Sequence, residues 1–362
     1  MWITAATDPF GNRGELISRL YGMAGGTVDG HARLCAAAWL LDESEVAVRL
    51  LRESLSRLRA PGVRGNSGAT LSALQWACID TGRWDEPLLA CREATDLAAA
   101  YKMEAVAASA SLATATVLAM RGVHDQVRPL VTSVLATIDA AEYRGFAARA
   151  WRAAGIAALA EGRYLTGYAQ LSQLFGADGA PLHHQVSYLG IADLAAAAVR
   201  AERHLEARRV VERALARVDS APGPRLDQLA ARARGLVAEP ADAESHVTKA
   251  LSDPAGDAWP FERAQLQLDY GEWLRRQRRI NDAKPVLAAA LETFRRLGAA
   301  PWTRRAEAEL RACGVTAAAA PAAPGARRPH REIIFLASRG LINAEIADRL
   351  FLSPCTVVFY LY

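Results

Sequence analysis

Apolar and small residues recur along most of the chain with a period near forty. Marks set at the turns Asp42, Gly82, Gly122, Gly162, Glu202, Ala238 and Arg278 are spaced 40, 40, 40, 40, 36 and 40 residues apart. Five residues after each mark stand Ala47, Pro87, Val127, Gly167, Ala207, Ala243 and Ala283. Nine after stand Leu51, Cys91, Val131, Leu171, Val211, Val247 and Leu287, and thirteen after, Leu55, Thr95, Leu135, Phe175, Leu215, Leu251 and Leu291. Steps of four keep these positions on one stripe of a helix, the stripe that must be buried against a neighbour. Each period therefore predicts two helices, one before the turn (66–81, 104–121) and one after it (85–100, 125–140). Long runs of Ala, Leu, Arg and Glu, with no alternation of period two, predict an all-α protein without a sheet. Unrelated helical bundles would have no reason to keep such a register.

Helix pairs with a small residue early in the second helix resemble tetratricopeptide repeats, although the period is about forty rather than roughly 34. The resemblance implies a right-handed superhelical solenoid whose concave face is an extended groove for a protein or small-molecule ligand. Residues 1–30 are expected to be weakly structured, and residues 31–314 to form the solenoid, with Gly314 as its last helix stop. The Ala/Pro segment VTAAAAPAAPGARRP, residues 315–329, reads as a linker. Residues 330–362 form a separate module.

In that module, residues 331–339 predict a helix closed by Gly340. Asn343 is expected to cap a second helix, Phe351-Leu352-Ser353 to form a turn, and Ser353 to cap a third helix with Pro354 at its first position. Ile333, Leu336, Ile346, Ala347, Leu350, Leu352 and Val357 are its expected core. The run Glu332, Leu336, Gly340, Asn343, Glu345, Ile346, Ala347, Leu350, Ser353, Thr356 and Val357 resembles the LuxR-type DNA-binding domain. In that family the third helix enters the major groove. The resemblance implies a helix-turn-helix transcription regulator, with Asn343, Ser353, Cys355, Thr356, Val358 and Phe359 as its DNA-binding positions. Residues 259–302 are similar to the region ahead of that domain in the large ATP-binding LuxR regulators. This chain has no Gly-Lys dipeptide, hence no P-loop, and looks like their repeat and C-terminal parts without the NTPase domain.

The module also departs from the family pattern. Ile342 stands where the family usually has Ser, Cys355 and Val358 where it has basic residues, and Tyr360 at a position that is commonly His. From residue 331 on, Arg331, Arg339 and Arg349 are balanced by Glu332, Glu345 and Asp348, so little phosphate neutralisation is available. The sequence ends at Tyr362 without the family's fourth helix, which braces the third and makes the dimer contact, so the helix-turn-helix reads as truncated. The expected partners are DNA, bound weakly in this truncated form, a protein or small molecule on the solenoid, and a second copy of the chain. The alternative is a repeat-protein interaction scaffold with a vestigial C-terminus that does not bind DNA.

Composition narrows the picture only a little. Over 362 residues the 43 basic and 39 acidic side chains leave +4, a weak pointer to nucleic acid. Cys35, Cys78, Cys91, Cys313 and Cys355 form no CxxC pair and read as small core residues of a reduced, cytoplasmic protein. No leader pattern and no run of ~18 apolar residues is present, so neither export nor a membrane span is expected. The absence of GxSxG, HExxH and GxGxxG argues against an enzyme, a metal site or a cofactor. His183-His184 reads as a polar loop, Glu86, Asp125 and Glu206 as solvated helix N-termini, and Trp39, Trp76, Trp84, Trp151, Trp259, Trp273 and Trp302 as core.

Overall fold

Six of the seven turn marks adopt left-handed backbone: Asp42 (φ 59°), Gly82 (76°), Gly122 (83°), Gly162 (75°), Glu202 (60°) and Arg278 (60°). Each ends a helix by the same pair of bonds; at Gly122 its own N–H reaches Ala119 O and the Val123 N–H reaches Leu118 O. This arrangement satisfies carbonyls that the helix end leaves bare. Ala238 is the exception, extended at φ −72°, ψ 160°. Pro240 opens the next helix, and the residue before a proline is driven out of helical backbone, so the connection shortens.

The computed structural model describes residues 5, 10–11, 13–22, 28–58, 67–218, 222–315 and 336–350. Among them the helices are α1 Arg13–Gly22, α2 Val28–Leu40, α3 Ser44–Leu58, α4 Ser67–Asp80, α5 Asp85–Tyr101, α6 Glu104–Arg121, α7 His124–Thr137, α8 Arg144–Ala160 and α9 Tyr164–Leu171. They continue as α10 Val186–Leu189, α11 Ile191–Arg200, α12 His204–Leu215, α13 Pro224–Val237, α14 Pro240–Ser252, α15 Pro260–Arg276, α16 Ile280–Leu297, α17 Ala300–Ala312 and α18 Asn343–Leu350. A single isolated bridge, Phe175 to Pro181, is the one extended pairing among the described residues. The protein is an all-α helical repeat. It divides into two units, Met1–Cys313 and Gly314–Tyr362.

The first two register positions are buried in every repeat, from Ala47 and Leu51 to Ala283 and Leu287. The third is not: Thr95 is exposed, and Leu135, Leu251 and Leu291 are half-buried. Four residues advance 400° around a helix, so two steps of four drift about 80° off the stripe. A step of three stays nearer the stripe: Ser54, Ala94, Val134, Leu174, Ala214 and Ala290 are buried, whereas at the third position only Leu55, Phe175 and Leu215 are. A further position, seven residues before most marks, is small: Cys35, Ala115, Gly155, Ala195 and Gly271. At Gly155 and Gly271 the facing Leu171 and Leu287 approach so closely that a Cβ would lie 2.4 and 2.5 Å from them.

Two expectations change. The segment before residue 31 contains α1, whose Leu16 clusters with Ala37 and Leu41, while Arg13 donates to Leu41 O at 3.0 Å. An amphipathic turn and one arginine thus dock it as a cap on the first repeat. The inner face, moreover, is closed rather than an extended groove. Turns from the first repeats meet residues far along the chain: a Cβ on Gly82 would lie 2.9 Å from Pro260, and one on Gly122 2.6 Å from Pro301. Trp259 Nε1 donates to Ser44 Oγ at 3.3 Å, and Gln185 to Leu40 O at 3.0 Å. The first helix of each pair is accordingly buried nearly all round, as in α6 from Val106 to Met120, whereas α7 buries only Val127, Val131 and Val134.

Candidate functional site

Closure of the inner face is made by charge. Arg225, the second residue of α13, is 3% exposed and serves three carboxylates. Its Nη1 donates to Asp42 at 3.2 Å, its Nη2 to Asp80 at 2.8 Å and to Glu262 at 2.7 Å. Asp80 also accepts from Trp39 Nε1 at 3.0 Å. Two turns of α13 further on, Arg232 donates to Asp193 at 3.0 Å, Asp269 at 2.8 Å and Gln265 at 3.1 Å. Asp269 of α15 then accepts from Arg200 and Arg305, and Glu272 from Arg305 and Arg276, with Arg200 3.5 Å from Glu272. Arg152 lies 3.7 Å from Asp193 and 4.0 Å from Glu262.

Burying ions is costly unless each finds partners, and this seam supplies several bonds per guanidinium. Burial alone would lower Arg225; Asp80, Glu262 and Asp42 hold it well above the ordinary arginine value. Burial pushes Asp42 up to about 6, against the pull of Arg225. Glu272 is pushed up to about 8 by burial and then by Asp269. Arg149 has no ion pair among the described residues. Its guanidinium lies 3.7 Å from the Trp76 ring centre and 5.3 Å from that of Trp39, and burial lowers it to about 9. Trp39 and Trp76 therefore hold a cation as well as filling core.

Three cavities border these elements. Two, of about 240 and 270 Å³, share Arg200 and Arg232 as a common wall. The third, about 430 Å³, lies between α9 and α12. The seam escaped sequence reading because Arg225, Gln228 and Arg232, like Glu262, Gln265, Asp269 and Glu272, are spaced as a polar helix face. Such a stripe on one helix is indistinguishable from a solvated one.

The C-terminal unit is described over residues 336–350. Leu336 and Ile346 are buried, and Gly340 (φ 85°) closes the first helical turn, with Gly340 N donating to Ala337 O and Leu341 N to Leu336 O. Asn343 is the first helical residue of α18 rather than its cap. Ile342 holds the capping position: its carbonyl accepts from Ile346 N at 3.0 Å, and Glu345 Oε2 accepts from Ile342 N at 2.9 Å. This is half of a capping box, and the residue that would complete it is the Ser that the LuxR-type pattern places there. Ser353, Cys355, Thr356, Val358 and Phe359 lie outside the described residues.

In the loop ahead of α10, His183 Nδ1 accepts from the backbone N–H of Gln185 and of Val186, both at 3.2 Å. Burial lowers His183 to about 3, so it stays neutral in this loop. Cys35, Cys78, Cys91 and Cys313 are buried free thiols. No group of side chains suited to a metal ion occurs among the described residues. Neither a family model nor a curated protein matches the chain.

Proposed function

We propose that the protein is a transcription regulator, not an enzyme, in which the helical repeat senses a ligand or partner and residues 330–362 dock on DNA. The observation that carries this reading is the eleven-position LuxR-type pattern from Glu332 to Val357. The capping of α18 by Glu345 and the Gly340 helix stop are in keeping with it. A location in the cytoplasm accords with four buried free thiols, and no helix among the described residues is long and apolar enough to cross a membrane.

The test is a fluorescence anisotropy titration with promoter DNA at two salt concentrations. Three arginines against three carboxylates in residues 331–362 predict micromolar or weaker affinity and a shallow salt dependence. Cys355→Arg with Val358→Lys should steepen the slope of log K against log salt by about 1.8 if both side chains reach phosphates. No binding by either form at low salt would sink the regulator reading and favour an interaction scaffold.

A further inference from the structure

The 270 Å³ cavity is a remnant of the inner groove, walled by helices from successive repeats. Its lining comes from the turn after α8, from α11, α13 and α15, and from the start of α17. Four arginines converge on it from three helices: Arg200, Arg232, Arg304 and Arg305. Arg200, Arg232 and Arg305 share Asp269, and Arg200 and Arg305 share Glu272 with Arg276. Arg232 adds Asp193, which Arg152 also approaches. Arg304 makes no ion pair among the described residues. Six guanidiniums, Arg152 and Arg276 included, thus stand near Asp193, Asp269 and Glu272, Arg152 being also 4.0 Å from Glu262. Glu161, the one carboxylate lining the cavity itself, is engaged by Arg163. Glu272 is pushed up to about 8, so near neutral pH part of even this negative charge is lost. Leu159, Pro301 and Trp302 supply the apolar part of the lining.

From this geometry we infer that the cavity binds a small organic phosphate, its phosphoryl group held by the arginines and its carbon portion against Pro301 and Trp302. Surplus positive charge in a half-enclosed site is relieved by an anion. Planar guanidiniums suit the tetrahedral oxygens of a phosphoryl group, to which they donate in pairs. The volume lies just below the usual range for drug-sized ligands, which points to a monoester of few carbons. The inference deepens the sensing role proposed for the repeat. It also gives that role a physical basis, because a ligand bridging four successive repeats and α17 stabilises their contact.

The test is calorimetric titration of the full chain with phenyl phosphate and with inorganic phosphate, at matched ionic strength set by chloride and without DNA. Phenyl phosphate should bind saturably at one site, more tightly than inorganic phosphate. Arg304 is exposed and unpaired, so Arg304→Ala should leave the thermal midpoint unchanged. It should weaken binding about tenfold, the loss expected of one charge-assisted contact. Arg304→Lys should fall between, and Arg296→Ala, on the exposed side of α16, should have no effect. Equal affinity for the two anions would assign the site to the free ion. No saturable binding of either, or binding indifferent to Arg304→Ala, would overturn the inference. Failure to bind DNA leaves this measurement untouched.

Discussion

Glu272 accepts from Arg276 and Arg305 and lies 3.5 Å from Arg200, yet burial and the nearby Asp269 still push its carboxyl up to about 8. In the unfolded chain the same group titrates near 4.5. The stability it contributes is therefore fully present below that value and is lost as pH rises through about 8. The thermal midpoint should fall between about pH 5 and 8, and Glu272→Gln, which cannot ionise, should flatten that fall. An unchanged slope in the variant would mean that the arginines keep Glu272 ionised throughout. Individual side chains were legible in the sequence where period and helix geometry agree, as at Leu51, Leu171 and Leu287, each fully buried. Legibility failed at Leu291 and Thr95, where a four-residue step was carried one turn too far. It failed also at Arg225, because which side of a polar stripe meets water is decided by elements more than a hundred residues away.

Helix ends were the most readable elements, since Gly82, Gly122 and Gly162 announce left-handed backbone on their own. Asp42, Glu202 and Arg278 take the same conformation with side chains and were recognisable only through the period. The short α9 was not foreseen; it gives way to a 3₁₀ turn, Ser172–Leu174, and a loop reaching α10. Nor was α1, whose apolar positions are too few to stand out before their docking site is known. The three glycines differ in a way that can be measured. At Gly162 a Cβ would meet nothing nearer than Tyr164 Oη at 3.9 Å, so Gly162→Ala should cost only the left-handed strain, about 1 to 2 kcal/mol. At Gly122 the same Cβ would lie 2.6 Å from Pro301 Cγ, adding a clash with a ring that cannot swing away. Chemical denaturation should show Gly122→Ala to be clearly the more damaging of the two. Equal losses would mean that the turns of the first repeats do not press on α17.

Across the whole repeat unit, what replaces an open groove is a seam whose central residue is Arg225. Arg225→Met should cost about 3 to 5 kcal/mol, because Asp42, Asp80 and Glu262 are left buried without their cation. The exposed pair Arg217–Asp178 serves as the control, where Arg217→Ala should cost under about 1 kcal/mol. Hydrogen exchange in Arg225→Met should quicken at the end of α4 and the start of α15 together, since one side chain ties both. Exchange confined to α13 would show that the ends are held by their apolar contacts alone. The seam also bears on how such a chain can evolve. Helical arrays ordinarily lengthen or shorten by duplicating or losing whole units, because each unit touches only its neighbours. Here Asp42 must meet a guanidinium 183 positions later. A unit gained or lost between them would move that partner out of reach and strand charges in the interior, so the number of repeats is fixed as the number of segments in a ring is fixed.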